Sequence, residues 1–324
     1  MRTILITGGA GFIGSNFIPF FLEANSNFKV VNLDFLTYAG DFQNLKGVEG
    51  NPRYTFVKGD ICDRNFVESL FQEYNIQGVI HFAAESHVDN SIKNSDKFID
   101  TNILGTHSLL KAVLRSRKNL STNFKFIQIS TDEVFGDVKK NYLSKEGDRY
   151  NPSSPYSASK AASDHLVSSW GRTYNIKYNI TYSSNNFGLN QNREKFIPVV
   201  INSIIKNKKI PIYGDGKQKR DWIYVEDNTN GIIKVANYGR INEHYNIGSN
   251  YSLTNIELVK KICNIFIKEF HYSNKILNLI KHVKDRPGHD RNYGLDARKL
   301  RRLNWKCNSD FNHSMKKTIA WYLK

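Results

Sequence analysis

Two short stretches of the chain hold residues that can do acid–base chemistry. One is Ser130-Thr131-Asp132-Glu133, a hydroxyl pair and two acids that close the run Lys125 to Ile129. The other is Pro155-Tyr156-Ser157-Ala158-Ser159-Lys160. With Phe126, Ile127 and Ile129 apolar, the first stretch reads as the end of a buried strand. The second reads as the start of a helix, with Ser153 or Ser154 as N-cap and Pro155 in the first turn. Tyr156 and Lys160 stand four apart on that helix and share a face. A phenol with a pKa of about 10 is a poor base near neutrality. A neighbouring ammonium and a helix N-terminus both favour the phenolate, so Tyr156 is expected to be acidified into a working base. That chemistry has a use only beside a bound oxidant.

The N-terminus carries the signature of one. Thr3 to Ile6 reads as a strand, Thr7-Gly8-Gly9-Ala10-Gly11-Phe12-Ile13-Gly14 as a turn into a helix, and Lys29 to Asp34 as the next strand. Gly8 allows the tight turn, Gly11 lets backbone approach a pyrophosphate, and Gly14 permits close helix packing. The helix N-terminus then receives the negative charge. Asp34, about twenty residues beyond the last glycine, is placed to accept ribose hydroxyls and to repel a 2′-phosphate. No Arg occurs in Phe35 to Tyr38 to compensate, so NAD is expected over NADP.

Strands and helices keep alternating: Tyr54 to Ile61, a helix near Phe66 to Glu73, Gly78 to Ala84, a long helix from about Phe98 to Arg115, and the strand at 125. The Tyr156 helix is expected to run to about Tyr174, with a strand at Tyr178 to Ser183. This alternation predicts an α/β fold, a Rossmann-type doubly wound parallel sheet. Its strand ends after Asp34, Asp60, Ala84 and Ser130 would share one edge, where such sheets bind ligands. Regularity fades after residue 184. The expected division is a dinucleotide-binding domain over 1–184, rejoined by about 224–247, and a smaller α/β lobe over 185–223 and 248–324. Lys195, Arg220, Arg286 and His289 fall in loop contexts that suit a diphosphate.

The net charge of +16 raises the question of nucleic acid, but the bases are scattered through 324 residues with no dense tract or nucleic-acid module. No nucleic-acid partner is expected. Cys62, Cys263 and Cys307 fit neither a disulfide framework nor metal-ligand spacing, so no metal is expected. The apolar run at Arg2 to Thr7 is too short for a signal peptide or a membrane span. A cytoplasmic location follows as the expectation.

Taken together, these motifs resemble the extended short-chain dehydrogenase/reductase family, and within it the nucleotide-hexose 4,6-dehydratases. The resemblance also rests on Ala83-Ala84-Glu85-Ser86-His87-Val88-Asp89, Ser184-Asn185-Asn186-Phe187-Gly188, Arg220-Asp221-Trp222 and Asp285 to Asp290. It implies a substrate such as dTDP-glucose or a UDP-hexose, oxidised at C4, dehydrated across C5 and C6, and reduced at C6. In that scheme Glu133 is the C5 base and Asp132 the acid for the C6 hydroxyl. Thr131 binds the C4 oxygen, Tyr156 removes its proton, and Lys160 holds the nicotinamide ribose. Asp60, Ile61, Ala83, Ala84, Thr101 and Ser130 would complete the NAD pocket begun by Gly8, Gly11, Phe12, Ile13, Gly14 and Asp34. His87, Asn186, Lys195, Arg220, Asn246, Arg286 and His289 would contact the diphosphate or sugar, with Pro211 and Tyr213 flanking the base. The resemblance further implies a homodimer through helices near 98–115 and 156–173.

Several positions depart from that pattern. Tyr182 and Ser183 stand where the family usually has Arg-Cys, Leu189 and Arg193 replace prolines, and Phe135 replaces a tyrosine. Three rivals stay open at this level: a nucleotide-sugar 4-epimerase, a UDP-N-acetylglucosamine dehydratase, and an NAD-binding regulator without activity. The acid pair separates the dehydratases from the epimerase, whose chemistry needs nothing to move at C5.

Overall fold

The computed structural model describes residues 1–324. Seven parallel strands form the main sheet: β1 (Arg2–Thr7), β2 (Phe28–Asp34), β3 (Tyr54–Lys58), β4 (Ile76–His81), β5 (Phe126–Thr131), β6 (Tyr178–Ser183) and, much later, Glu243–Ile247. Their order is β3-β2-β1-β4-β5-β6 with Glu243–Ile247 outermost beside β6. Every residue of β5 and β6 is buried, as both faces of a parallel sheet covered by helices require. Successive side chains point to opposite faces. Leu5 and Phe126 therefore enter one apolar cluster with Leu109 and Val113, while Ile4, Ile6, Ile127 and Ile129 enter another with Phe17, Ile18 and Ile232.

The chain builds outward from β1 to β3, then crosses to the other side of β1 to lay down β4. The crevice opens at such a reversal, outside the carboxyl ends of the strands. Residues 185–224 leave the main sheet through β7 (Asn185–Phe187), β8 (Ile210–Tyr213) and β9 (Lys219–Tyr224). Strand β9 pairs with β7 and with Ser252–Thr254, and β8 pairs with Ile280–Val283. Around these two small sheets lies a third apolar cluster from the helices Phe196–Ile205, Asn255–Phe270 and Phe311–Tyr322.

Two features differ from the sequence expectations. Residues 295–305 do not stay in the smaller lobe, because Leu295, Ala297, Leu300 and Trp305 bury into the two clusters of the main sheet. The helix expected over 98–115 is also not uniform, since Ile99–Gly105 forms a π-turn before Thr106–Ser116 resumes as α-helix. A polar anchor accompanies the wider turn. The Asn102 amide accepts from Glu85 N and donates to Glu85 O and Ser159 Oγ, at 2.9, 3.0 and 2.8 Å. No helix is long and apolar enough to cross a membrane.

Candidate active site

At the end of β5 a single 3-10 turn, Asp132–Phe135, presents the acid pair. Thr131 Oγ1 shapes it, accepting from Glu133 N at 3.3 Å and donating to Asp132 Oδ1 at 3.2 Å. The facing helix, Pro155–Tyr174, starts at Ser154 rather than Ser153. Ser154 Oγ accepts from Ser157 N at 3.1 Å while Ser157 Oγ accepts from Ser154 N at 3.0 Å, a reciprocal capping box with Pro155 at the first position. This start places Tyr156 in the first turn, aimed at the strand end. Thr131, Asp132, Glu133, Tyr156 and Lys160 all line one cleft of about 1280 Å³.

Burial and charge separate the two acids. Asp132 is 4% exposed, and its Oδ2 has no hydrogen-bond partner. Its pKa is pushed well above the usual carboxylate range, first by burial and then by the charge of Glu133. Burial also raises Glu133, but Arg286, Arg220 and Lys195 oppose it. Two titratable groups whose surroundings push them apart can divide acid and base roles.

The phenol does not behave as expected. Burial, then the Glu133 carboxylate, drives the Tyr156 pKa far above its ordinary value, with Thr131 alone working the other way. Lys160 does not acidify it, because its Nζ donates to the Ile129 carbonyl at 2.7 Å. Lys160, itself 4% exposed, is pushed down by burial. Four-residue spacing gives a shared face and leaves the direction of a long side chain open.

The other end of the cleft fits a dinucleotide. Gly8 has φ +72° and a Cβ there would meet Ala83 N at 2.5 Å, so β1 and β4 close on a residue that must be glycine. At Gly14 a Cβ would strike Gly8 O at 2.4 Å, which sets the helix hard against the turn. Gly11 caps the helix Phe12–Ala24 with no side-chain acceptor, leaving its first N–H groups free for an anion. Asp34 is buried, and its two oxygens accept from Ala10 N and Leu36 N, both at 2.8 Å. Each oxygen keeps a second lone-pair direction for a ribose hydroxyl. Phe12, Ile13, Asp60, Ile61, Ala83, Ala84, Thr101 and Ser130 line the same cleft.

Of the residues assigned to a nucleotide-sugar, only Asn186 and Lys195 line this cavity. Lys195 Nζ reaches Ser86 O at 2.6 Å, and burial pushes its pKa down. A second group gathers around Asp89, which accepts from Tyr213 OH at 3.0 Å and from Arg286 at 3.3 Å. His289 Nδ1 lies 2.6 Å from Asp285, with its ring edge-on to Tyr213. Arg220 is buried, donates to the Asp290 carbonyl at 2.8 Å and lies over the Tyr293 ring at 4.1 Å. Pro211, in β8, pairs with Lys281. His87 caps the short helix Val88–Lys93, with Nδ1 accepting from Asn90 N at 3.4 Å.

Asn246 is not brought to this region. It is 0% exposed, and its amide donates to Ser144 O at 2.7 Å and Asp296 O at 3.3 Å. It ties the outermost strand to the returning segment and does not line the cleft. Sequence reasoning had also passed over Ser184, Asn185 and Gln191. They line the cleft, and each has a buried side-chain oxygen without a partner. Their signal was their adjacency to Asn186 in the run Ser184 to Gln191.

A doubly wound sheet with a glycine turn, and a Tyr156–Lys160 helix beside the β5 strand end, define an extended short-chain dehydrogenase/reductase. The chain belongs to the GDP-mannose 4,6 dehydratase family, whose model matches residues 5–318. It is 47% identical to the dTDP-glucose 4,6-dehydratase of Haemophilus influenzae, over 100% of this chain and 98% of that one. The crystal structure of the Streptomyces venezuelae dTDP-glucose 4,6-dehydratase with NAD bound is 36% identical, with a TM-score of 0.91 over 99% of this chain and 97% of that one. A UDP-glucose 4-epimerase of Thermus thermophilus in complex with NAD is 25% identical, with a TM-score of 0.88 over 99% of each chain. Both reactions are thus carried on this fold.

Proposed function

We infer that this chain is an NAD-dependent hydro-lyase that converts dTDP-glucose to dTDP-4-keto-6-deoxy-glucose. The observation that carries the reading over an epimerase is the acid pair, Asp132 beside Glu133, in one cleft with Tyr156, both raised by burial but Glu133 opposed by three cations. Bound NAD supplies a reversible hydride acceptor. The groups that would hold it are the free amides after Gly11, the Asp34 carboxylate, the cleft walls at Asp60, Ile61, Ala83, Ala84, Thr101 and Ser130, and Lys160.

Thr131 holds the C4 oxygen and Tyr156 takes the C4 hydroxyl proton. A ketone at C4 acidifies the C5 proton, which Glu133 accepts. Asp132, whose burial favours its protonated form, gives its proton to the C6 hydroxyl as it leaves as water. Glu133, now carrying the proton taken from C5, gives a proton back to C5, and C6 regains the hydride that C4 gave up. Lys195, Arg220, Arg286 and His289 cradle the diphosphate, with Pro211 and Tyr213 at the base and His87 and Asn186 near the sugar. The smaller lobe, residues 185–223 with most of 248–324, is the substrate lobe of this reading. A homodimer belongs to it too, supported by the exposed Ile99 and Tyr174 on the two helical segments concerned. So does a cytoplasmic location, supported by three unpaired thiols.

The test is incubation with NAD or NADP and with dTDP-glucose, UDP-glucose or their N-acetylglucosamine analogues. Loss of water from dTDP-glucose with NAD is expected. A product of unchanged mass would make the chain an epimerase, and water loss from a UDP-sugar alone would reassign the substrate.

A further inference from the structure

The Tyr156–Lys160 face continues one turn further. Tyr156, Lys160 and Asp164 are spaced by four residues on one helix and lie in line. Asp164 is 1% exposed. Its Oδ2 accepts from Ser130 Oγ at 2.5 Å and from Tyr150 OH at 3.3 Å. Tyr150 OH lies 2.5 Å from Tyr182 OH, which lies 2.7 Å from His244 Nδ1 on the half-buried outermost strand. A phenol has one proton to give. If Tyr150 gives its proton to Asp164, Tyr182 must donate to Tyr150 and His244 Nδ1–H to Tyr182. The donors then run in one direction along the chain, and Tyr150 delivers the last bond to the carboxylate.

The buried Lys160 ammonium otherwise has a neutral carbonyl as partner. A charge taken out of water at this depth loses its proton unless an opposite charge faces it. We propose that Asp164 is the positioning residue that keeps the Lys160 ammonium charged, and that the hydroxyl chain from Tyr150 and Tyr182 to His244 holds its carboxylate in place. The titratable groups around Lys160 are Tyr156 and Asp164 on its own helix and His81 from β4. Burial and Lys160 push His81 down to about 3, so it is neutral. Burial lifts Asp164 to about 6, opposed first by Lys160, which leaves it ionised at neutral pH. Burial first, then Lys299, with Arg172 and His165 adding and Glu243 opposing, holds His244 down at about 4, so it is neutral too. Asp164 is thus the charge that answers Lys160.

This proposal rests on the function inferred above for its meaning, but its first test does not need turnover. A nearby opposite charge changes a protonation ratio about 10- to 1000-fold. Replacing Asp164→Asn should therefore make folded Lys160 release its proton at lower pH. A lysine that binds fewer protons folded than unfolded makes stability rise with pH. The Tm deficit of Asp164→Asn against the unsubstituted protein should accordingly narrow as pH rises from about 7 to 9, below the ordinary lysine pKa of about 10. A deficit of constant size across that range would overturn the proposal. Should that variant fail to fold, Tyr150→Phe carries the test. Losing a donor raises the carboxyl pKa, so the acid limb of its single-turnover rate should move from near pH 6 toward neutrality. An unmoved limb would equally overturn it. Failure of the unsubstituted protein to turn over dTDP-glucose would sink the functional reading and leave the Tm comparison intact.

Discussion

Replacing Glu133→Gln separates the two halves of the reaction. Glutamine keeps the size of the side chain, and the Glu133 backbone amide still donates to Thr131 Oγ1 at 3.3 Å. What disappears is the capacity to accept a proton and a negative charge. General-base loss typically costs about 10² to 10⁴ in rate, equivalent to about 3–5 kcal/mol of barrier. The charge loss acts in the opposite direction on the first step. Glu133 is the strongest charge raising the Tyr156 pKa, so its removal makes the phenol easier to ionise. C4 oxidation should survive while elimination falls by that factor. In a single turnover, absorbance of the reduced nicotinamide should rise on substrate addition and persist. Little deuterium from solvent should enter at C5. The companion Asp132→Asn variant should slow water loss yet permit more C5 exchange, since the base is intact. If Glu133→Gln dehydrates normally with full exchange at C5, the division of labour between the acids is wrong.

Two other substitutions test the elements that carry the site. Tyr156→Phe should abolish both the nicotinamide signal and the product, because it removes the group that takes the C4 hydroxyl proton in this scheme; substantial activity would remove Tyr156 from the mechanism. Ser154→Ala breaks the capping box that starts the catalytic helix. It should cost about 1 kcal/mol in a denaturant titration, whereas an unchanged midpoint would mean the helix is held by packing alone.

The structure and the sequence divide the explanation between them in an instructive way. Local rules were sufficient wherever the chemistry is written along one element. The glycine turn, Asp34 at the end of β2, the acids closing β5 and the tyrosine helix are each set by neighbours within a few residues. Alternation of strands with helices was enough to predict the parallel sheet, whose strands are buried on both faces. The N-cap could be narrowed to Ser153 or Ser154, but the choice waited for geometry. Ser154 bonds to Ser157 within its own helix, while Ser153 reaches across the fold to Asp290.

Tertiary structure decided everything that depends on direction or on distant partners. Spacing placed Lys160 beside Tyr156, yet its ammonium turns to the Ile129 carbonyl, and the Tyr156 pKa rises because Glu133 and burial outweigh any cation on the helix. Asn246 belongs to a strand whose partners, Ser144 and Asp296, lie about a hundred and fifty residues along the chain from each other, and no local pattern could show them. The segment 295–305 returns to the main sheet for the same reason, since apolar residues seek whichever core is left uncovered. Even the contrast between Asp132 and Glu133 is invisible in their adjacency. It arises because Asp132 Oδ2 is buried without a partner, whereas the burial that raises Glu133 is opposed by Arg286, Arg220 and Lys195, cations that only the folded chain brings near it.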